Sequence, residues 1–220
     1  MEWSAQDATN AYLNTLDLCK VKNQKCNLEN TEPLIEPECM ELISALAAGS
    51  KAKLLVEITT QGISSLTIPL AVAAKQTGGK VICLVPRREN TKKIIEKQLK
   101  SYDNIIVDLK KVMRFVIGDP CEAIKHYKKI DFAVIDGNFE DHSRLFKCID
   151  MNSKGSVVVV NSTLCKRTFG EVVKGNGGAA SVVTLPIGQG MELTRIGSSA
   201  GRCKFGKSRR FYVVDERRSC

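Results

Sequence analysis

The chain reads as a doubly wound α/β domain, a mostly parallel sheet covered by helices and closed by an antiparallel hairpin. Three observations predict it. Short apolar runs of strand-forming residues recur at 54–58, 81–85, 112–117, 131–135 and 156–160. Segments with helical apolar spacing lie between them, so strand, turn, helix and strand follow one another within about 30 residues of 54–85, as in a βαβ unit. Two further runs, 181–185 and 191–196, flank Pro186-Ile187-Gly188-Gln189-Gly190, the pattern of a hairpin.

In chain order, residues 1–19 are expected to be helical, with Ala5, Ala8, Tyr12, Leu16 and Cys19 near one face. Residues 20–36 are polar and read as a loop. Pro37 opens a helix over 38–48, and Gly49 stops it. Strand 54–58 leads into a helix over 63–76, with Pro69 as an expected kink and Thr77-Gly78-Gly79 as its stop. After strand 81–85, residues 90–101 form an amphipathic helix with Ile94, Ile95 and Leu99 on its apolar side. A short strand or connector is expected at 104–107. Strand 112–117 ends in Gly118-Asp119-Pro120, followed by a short helix, 121–127. Asp136-Gly137-Asn138 breaks the central strand 131–135, and a helix follows at 140–149. Strand 156–160 ends in Asn161-Ser162. Residues 166–178 are glycine-rich and expected to be mobile, 197–208 basic and disordered, and 210–214 either an edge strand or more tail. Residues 1–196 thus make one domain, with 1–36 as its N-terminal helix and loop, and 197–220 a basic, partly disordered tail.

Composition narrows the classes. An apolar fraction of 43% and a charged fraction of 26% are those of an ordinary globule. No run of 18 apolar residues occurs, so no membrane span is expected, and the N-terminus lacks the pattern of a signal peptide. Nine cysteines without C-x-x-C spacing argue for a reducing compartment, cytoplasm or nucleus, over a disulfide framework or a zinc site. The net charge of +9 comes partly from Lys92, Lys93, Lys97 and Lys100 and partly from the tail. It reads either as solvated surface or as attraction to an acidic partner. With 5% aromatic residues, the basic stretches do not make a base-stacking platform.

Open parallel sheets hold ligands beyond the carboxyl ends of their strands. The residues to weigh there are Glu57, Gly62, Pro86 to Glu89 with Arg87 and Arg88, Gly118, Asp119, Asp136, Asn161 and Ser162. Glu57 ends an apolar strand, where a carboxylate needs hydrogen bonds; it reads equally as a ligand acceptor and as a holder of turn backbone. Asp119 before Pro120 is either a ligand residue or a helix-start residue. Asp136 could accept a proton or meet a cation, yet Asp-Gly is also a turn pair. Arginines after the second strand can take a ribose phosphate, but the first turn lacks Gly-x-Gly-x-x-Gly, so a dinucleotide reductase does not fit.

Five motifs in order carry a resemblance. LLVEITTQGISSLTIPLA (54–71), GGKVICLVPRREN (78–90), DFAVIDGNFED (131–141), GSVVVVNSTL (155–164) and LPIGQGMELTRI (185–196) resemble class I S-adenosylmethionine-dependent methyltransferases. The caffeoyl-coenzyme A O-methyltransferase type is the nearer match. A group of plant methyltransferase-like proteins of unknown function resembles the chain along its whole length. The resemblance implies a Rossmann-like fold and S-adenosylmethionine as cofactor. It places Glu57, Gly62 and Ser64 on the methionine side, Arg87 beside the second strand, and Gly118 and Asp119 by the adenine. Asp136 would be the metal ligand or base and also lie against the cofactor, with Asn161 as the second catalytic residue. By analogy it also implies a homodimer.

The chain departs from that pattern at several positions. Thr59 replaces a glycine of the first motif, and the following loop is one residue shorter. Val85 stands where an acid would hold the ribose hydroxyls. Asn161-Ser162 replaces an Asp-Asn metal pair, so a divalent cation is not expected, and Phe139 replaces a lysine. Two functions follow. One is methyl transfer to a small hydroxylated acceptor from an atypical cofactor pocket. The other is a catalytically inactive scaffold that binds an acidic partner through its basic tail.

Overall fold

The computed structural model describes residues 2–26, 37–101, 108–161, 169–175, 178–187 and 190–197. Its strands are β1 (Leu54–Ile58), β2 (Lys80–Pro86), β3 (Met113–Gly118), β4 (Phe132–Asp136), β5 (Ser156–Asn161), β6 (Ala180–Leu185) and β7 (Met191–Ile196). They form one sheet in the order β3-β2-β1-β4-β5-β7-β6. β1 to β5 run parallel, and β7 lies antiparallel between β5 and β6. The chain winds outward from β1 to β3 and then returns to place β4 beside β1. That reversal opens a crevice at the carboxyl ends of β1 and β4.

The central strands β1, β2, β4 and β5 are mostly apolar and buried because both faces of the sheet are covered there, whereas the edge strand β6 alternates with exposed residues. Successive side chains alternate between faces. Leu55, Cys83, Phe132, Val134 and Val159 pack under helices α1 (Ala5–Cys26), α2 (Pro37–Gly49) and α3 (Thr67–Thr77). Val56, Ile58, Leu84, Ile135 and Val160 pack on the other face, against α5 (Pro120–Ala123), α6 (His142–Cys148) and α7 (Phe169–Gly175). Helix α4 (Thr91–Ser101) contributes to neither core.

Five expectations are corrected. The loop expected from residue 20 begins later, because α1 continues to Cys26. The helix expected over 63–76 starts only at Thr67. Residues 63–66 form a turn instead, because the side chains of Ser64 and Thr67 bond to turn backbone and to Glu57. Pro69 therefore falls in the first turn of α3, where its missing N–H leaves nothing unpaired, and it is no kink. The helix expected at 121–127 divides into α5, which starts at Pro120, and a 3-10 turn, Ile124–His126. Within 166–178, Phe169–Gly175 is helical, tied by the Phe169 amide to Glu192 Oε1 at 3.1 Å. The connector at 104–107, Ser162 and the tail beyond residue 197 lie outside the described residues.

Gly78 ends α3 with a left-handed φ of 66°, as its glycine suggests. Among the described residues, no helix is long and apolar enough to cross a membrane.

Candidate functional site: the crevice beyond β1 and β4

Glu57 is the buried anchor of the first turn, only 1% exposed. Alternation along β1 points it at the α3 face, opposite Cys83 of β2. Its carboxyl accepts from the Ser64 hydroxyl, from Thr67 Oγ1 at 2.7 Å and from Cys83 Sγ at 3.4 Å. Both hydroxyls also accept backbone N–H groups, Leu66 onto Ser64 and Ser64 onto Thr67, each at 2.9 Å. Glu57 therefore shapes residues 64–67 through two relays. Burial pushes its pKa up, against the pull of the three donors. Burial, helped by Glu57, also pushes the Cys83 thiol well above its usual range. Glu57 thus holds the turn through the Ser64 and Thr67 hydroxyls, not by direct bonds to its backbone.

The turn itself runs over Gly62, whose φ of +86° is left-handed. A side chain there would meet Gln98 Oε1 at 2.7 Å and Ile95 Cγ1 at 3.3 Å, both from α4. Gln98 Oε1 accepts the Ile63 amide at 2.9 Å, and Gln98 Nε2 donates to the Gln61 carbonyl at 3.3 Å. In the same turn the buried Ser65 hydroxyl has no partner among the described residues.

Asp136 ends β4 in the central position the sequence predicted. One carboxylate oxygen accepts the Thr60 hydroxyl and the Thr60 amide, the latter at 3.2 Å; the other accepts the Asn138 amide at 2.9 Å. Asn161 lies beside it across the β4–β5 ladder, and its carbonyl accepts the Gly137 amide at 3.1 Å. The His142 ring sits between Phe139 and Phe146. Burial holds its pKa down, which leaves a neutral imidazole whose Nε2 has no partner among the described residues.

The β2–β3 side differs. Val85 is buried where an acid was looked for, and Arg87 and Arg88 follow it, exposed. The Arg87 amide extends the ladder to the Gly118 carbonyl at 3.2 Å. Gly118 itself faces open space: among the described residues, a methyl group added there would meet nothing within 4 Å. Asp119 beside it is engaged with the protein through both of its oxygens. One oxygen caps α5 through the Cys121 amide at 2.8 Å, and the other pairs with Arg144 at 2.9 Å. Arg144 also holds Glu122, which holds Lys125 at 2.8 Å. The helix-start reading of Asp119 is thus realised, and Pro120 beside it was the signal.

The fold brings Glu57, Gly62, Ser64, Asp136 and Asn161 to the β1–β4–β5 ends, and Arg87, Gly118 and Asp119 to the β2–β3 ends. Sequence reasoning missed Thr60, Gln98, Arg144 and His142. For Thr60 there was a signal, a hydroxyl in the turn beside the strand that ends in Asp136. Gln98 and Arg144 reach their partners only through the packing of α4 and α6. Among the described residues no group of three or more His, Cys, Asp or Glu is placed to hold a metal ion.

Solved structures share this architecture at low identity. A methyltransferase from Geobacter sulfurreducens aligns over 83% of this chain and 90% of its own, with TM-score 0.59 and 16% identity. A Staphylococcus aureus protein, provisionally described as a caffeoyl-CoA O-methyltransferase, aligns over 81% of this chain and 91% of its own, with TM-score 0.60 and 16% identity. An O-methyltransferase from Bacillus cereus, solved with S-adenosylhomocysteine, aligns over 88% of this chain and 98% of its own, with TM-score 0.54 and 18% identity. At such identities the likeness establishes the methyltransferase fold and nothing finer. No curated protein matches the sequence. One family model spans residues 1–219, and by that match the chain belongs to DUF1442, a family of proteins of unknown function.

Proposed function

We propose that this chain is an S-adenosylmethionine-dependent methyltransferase-like protein with a weakened grip on its cofactor, acting on a small hydroxylated acceptor beside Asp136 and Asn161. The observation that carries the reading is the β1–α3 turn. It gathers left-handed Gly62, the Ile63 amide, which Gln98 holds, and the Ser65 hydroxyl, unpartnered among the described residues, and buried Glu57 braces residues 64–67 of the same turn. These groups fit the methionine half of such a ligand. The open space beside Gly118 fits an adenine. The ribose position does not fit, because Val85 offers no acceptor there. Proteins of the same fold that hold S-adenosylhomocysteine support the assignment.

When bound, S-adenosylmethionine supplies an electrophilic methyl group. The chain's own contribution is positional. Thr60 and Asn138 fix the Asp136 carboxylate at the mouth of the crevice, where it can orient an acceptor hydroxyl. Both of its oxygens already accept backbone bonds, and its neighbour Asn161 is neutral. A hard cation, which favours several carboxylate oxygens, has little to hold, so the reading is cation-independent.

Calorimetry with S-adenosylhomocysteine tests it. The missing ribose carboxylate removes charge-assisted bonds worth about 1.5–3 kcal/mol each, so binding about ten- to a hundredfold weaker than with an acid is expected. No heat at millimolar ligand overturns the reading.

A second reading, a binding module for an acidic partner, is favoured by the outer face of α4. Lys93, Lys97 and Lys100 fall there on one exposed stripe opposite buried Ile95. It expects salt-sensitive binding to a short nucleic-acid duplex, lost when the three lysines become glutamates; salt-independent binding overturns it.

A further inference from the structure

Gln98 and the Gly62 turn form an arrangement that the cofactor reading does not itself require. We propose that Gln98 is an internal stand-in for the amino-acid head group of the ligand, and that α4 is the gate that carries it. The inference rests on the reading of the β1–α3 turn as the cofactor cradle.

The chemistry of the side chain is the first argument. A carboxamide offers an acceptor oxygen and a donor nitrogen side by side. Gln98 uses both on one turn, taking the Ile63 amide at 2.9 Å and giving to the carbonyls of Gln61 at 3.3 Å and Ile63 at 3.5 Å. An α-amino acid offers the same pair, a carboxylate that accepts and an ammonium that donates. The second argument is space. The absent side chain of Gly62 opens the backbone to close approach, and Gln98 with Ile95 fills that opening.

The third argument is how lightly α4 is held. Among the described residues it belongs to neither core cluster, and those it buries are Thr91 and Ile95. Helix α3, by contrast, buries eight consecutive residues, Thr67 to Ala74. At the entrance to α4, Asn90 takes a left-handed φ of 63°, so the chain turns sharply there. The helix can therefore swing about that bend while the sheet and α3 stay packed. In the closed arrangement the turn amide and carbonyls are satisfied by the protein itself. In the open one they are released to a ligand with a zwitterionic head.

The test compares the wild type with Gln98→Ala, first without ligand and then with two ligands. Hydrogen exchange in the free protein reads the latch. The Ile63 amide is expected to exchange about fivefold faster in the variant, the loss of one ordinary hydrogen bond. Calorimetry then reads the gate. S-adenosylhomocysteine is expected to bind the variant about fivefold more tightly than the wild type, while methylthioadenosine, which lacks the amino-acid head, binds both equally. An unchanged Ile63 amide overturns the latch. Equal S-adenosylhomocysteine affinity in both proteins overturns the gate and leaves the cofactor reading standing. An equal gain for methylthioadenosine reduces Gln98 to a steric block and overturns the stand-in. Absence of binding by either protein, with Ile63 exchange accelerated, removes the cofactor reading and the gate with it.

Discussion

The two sides of the crevice are built on opposite principles. On the β1–β4 side, carboxyl groups are buried or half-buried and bonded by hydroxyls, a thiol and backbone amides, as at Glu57 and Asp136. On the β2–β3 side, the charges are exposed and the ion pairs are with side chains, as at Asp119, Glu122 and Arg144. Hydrogen bonds withdrawn from water are expensive to leave unmade, whereas exposed ion pairs are worth little. The first side should thus be rigid and sensitive to mutation. The second should be tolerant and adjustable, the place where a binding site can change without endangering the fold.

The largest effect is expected at Glu57. Glu57→Ala strands the Ser64 and Thr67 hydroxyls and opens a cavity, and should cost about 3 kcal/mol in urea unfolding. A loss below about 1 kcal/mol would erase the contrast between the two sides. Titration sharpens it. Burial raises the folded pKa of Glu57 above its usual 4.5. Its contribution to stability is therefore complete below 4.5 and is lost as pH rises through the folded value. Stability measured from pH 4.5 toward neutrality should fall less in Glu57→Gln than in the wild type. Glu192, also raised by burial, keeps part of the slope in both.

Next comes Val85→Asp, which gives the β2 end the acceptor it lacks. S-adenosylhomocysteine affinity should rise about tenfold, or about 1.4 kcal/mol, in calorimetry. No gain would mean that the ribose position lies elsewhere. Thr60→Val removes the hydroxyl that bonds Asp136 and should cost about 1 kcal/mol in the same unfolding measurement. Smallest is Arg144→Met. Its pairs with Asp119 and Glu122 are roughly half exposed, so thermal unfolding should register no more than about 1 kcal/mol.

Legibility in the sequence divides along similar lines. β1 was readable to the residue because a strand buried on both faces is a short, mostly apolar run, here broken only by Glu57. Gly78 as a helix end and Asp119 before Pro120 were readable because their roles are local. The start of α3 was not. Ile63 and Leu66 keep a helical spacing, yet the hydroxyls of Ser64 and Thr67 are committed to Glu57, and a side-chain contact across the turn overrode the periodicity. The continuation of α1 to Cys26 was masked by polar composition. Gln98, the residue that most changes the view of the site, lies 35 positions from the amide it binds, and a local pattern carries no trace of such a pairing.

The chain has a single tryptophan, Trp3, and its ring lies against Gly49 at the end of α2. The Ser4 amide bonds the Gly49 carbonyl at 2.8 Å, which clips the N-terminus to the segment that enters β1 from its amino end. The only strong intrinsic fluorophore therefore sits at the opposite rim of the sheet from Glu57 and Asp136. Its emission is expected to report docking of the N-terminal arm rather than events in the crevice.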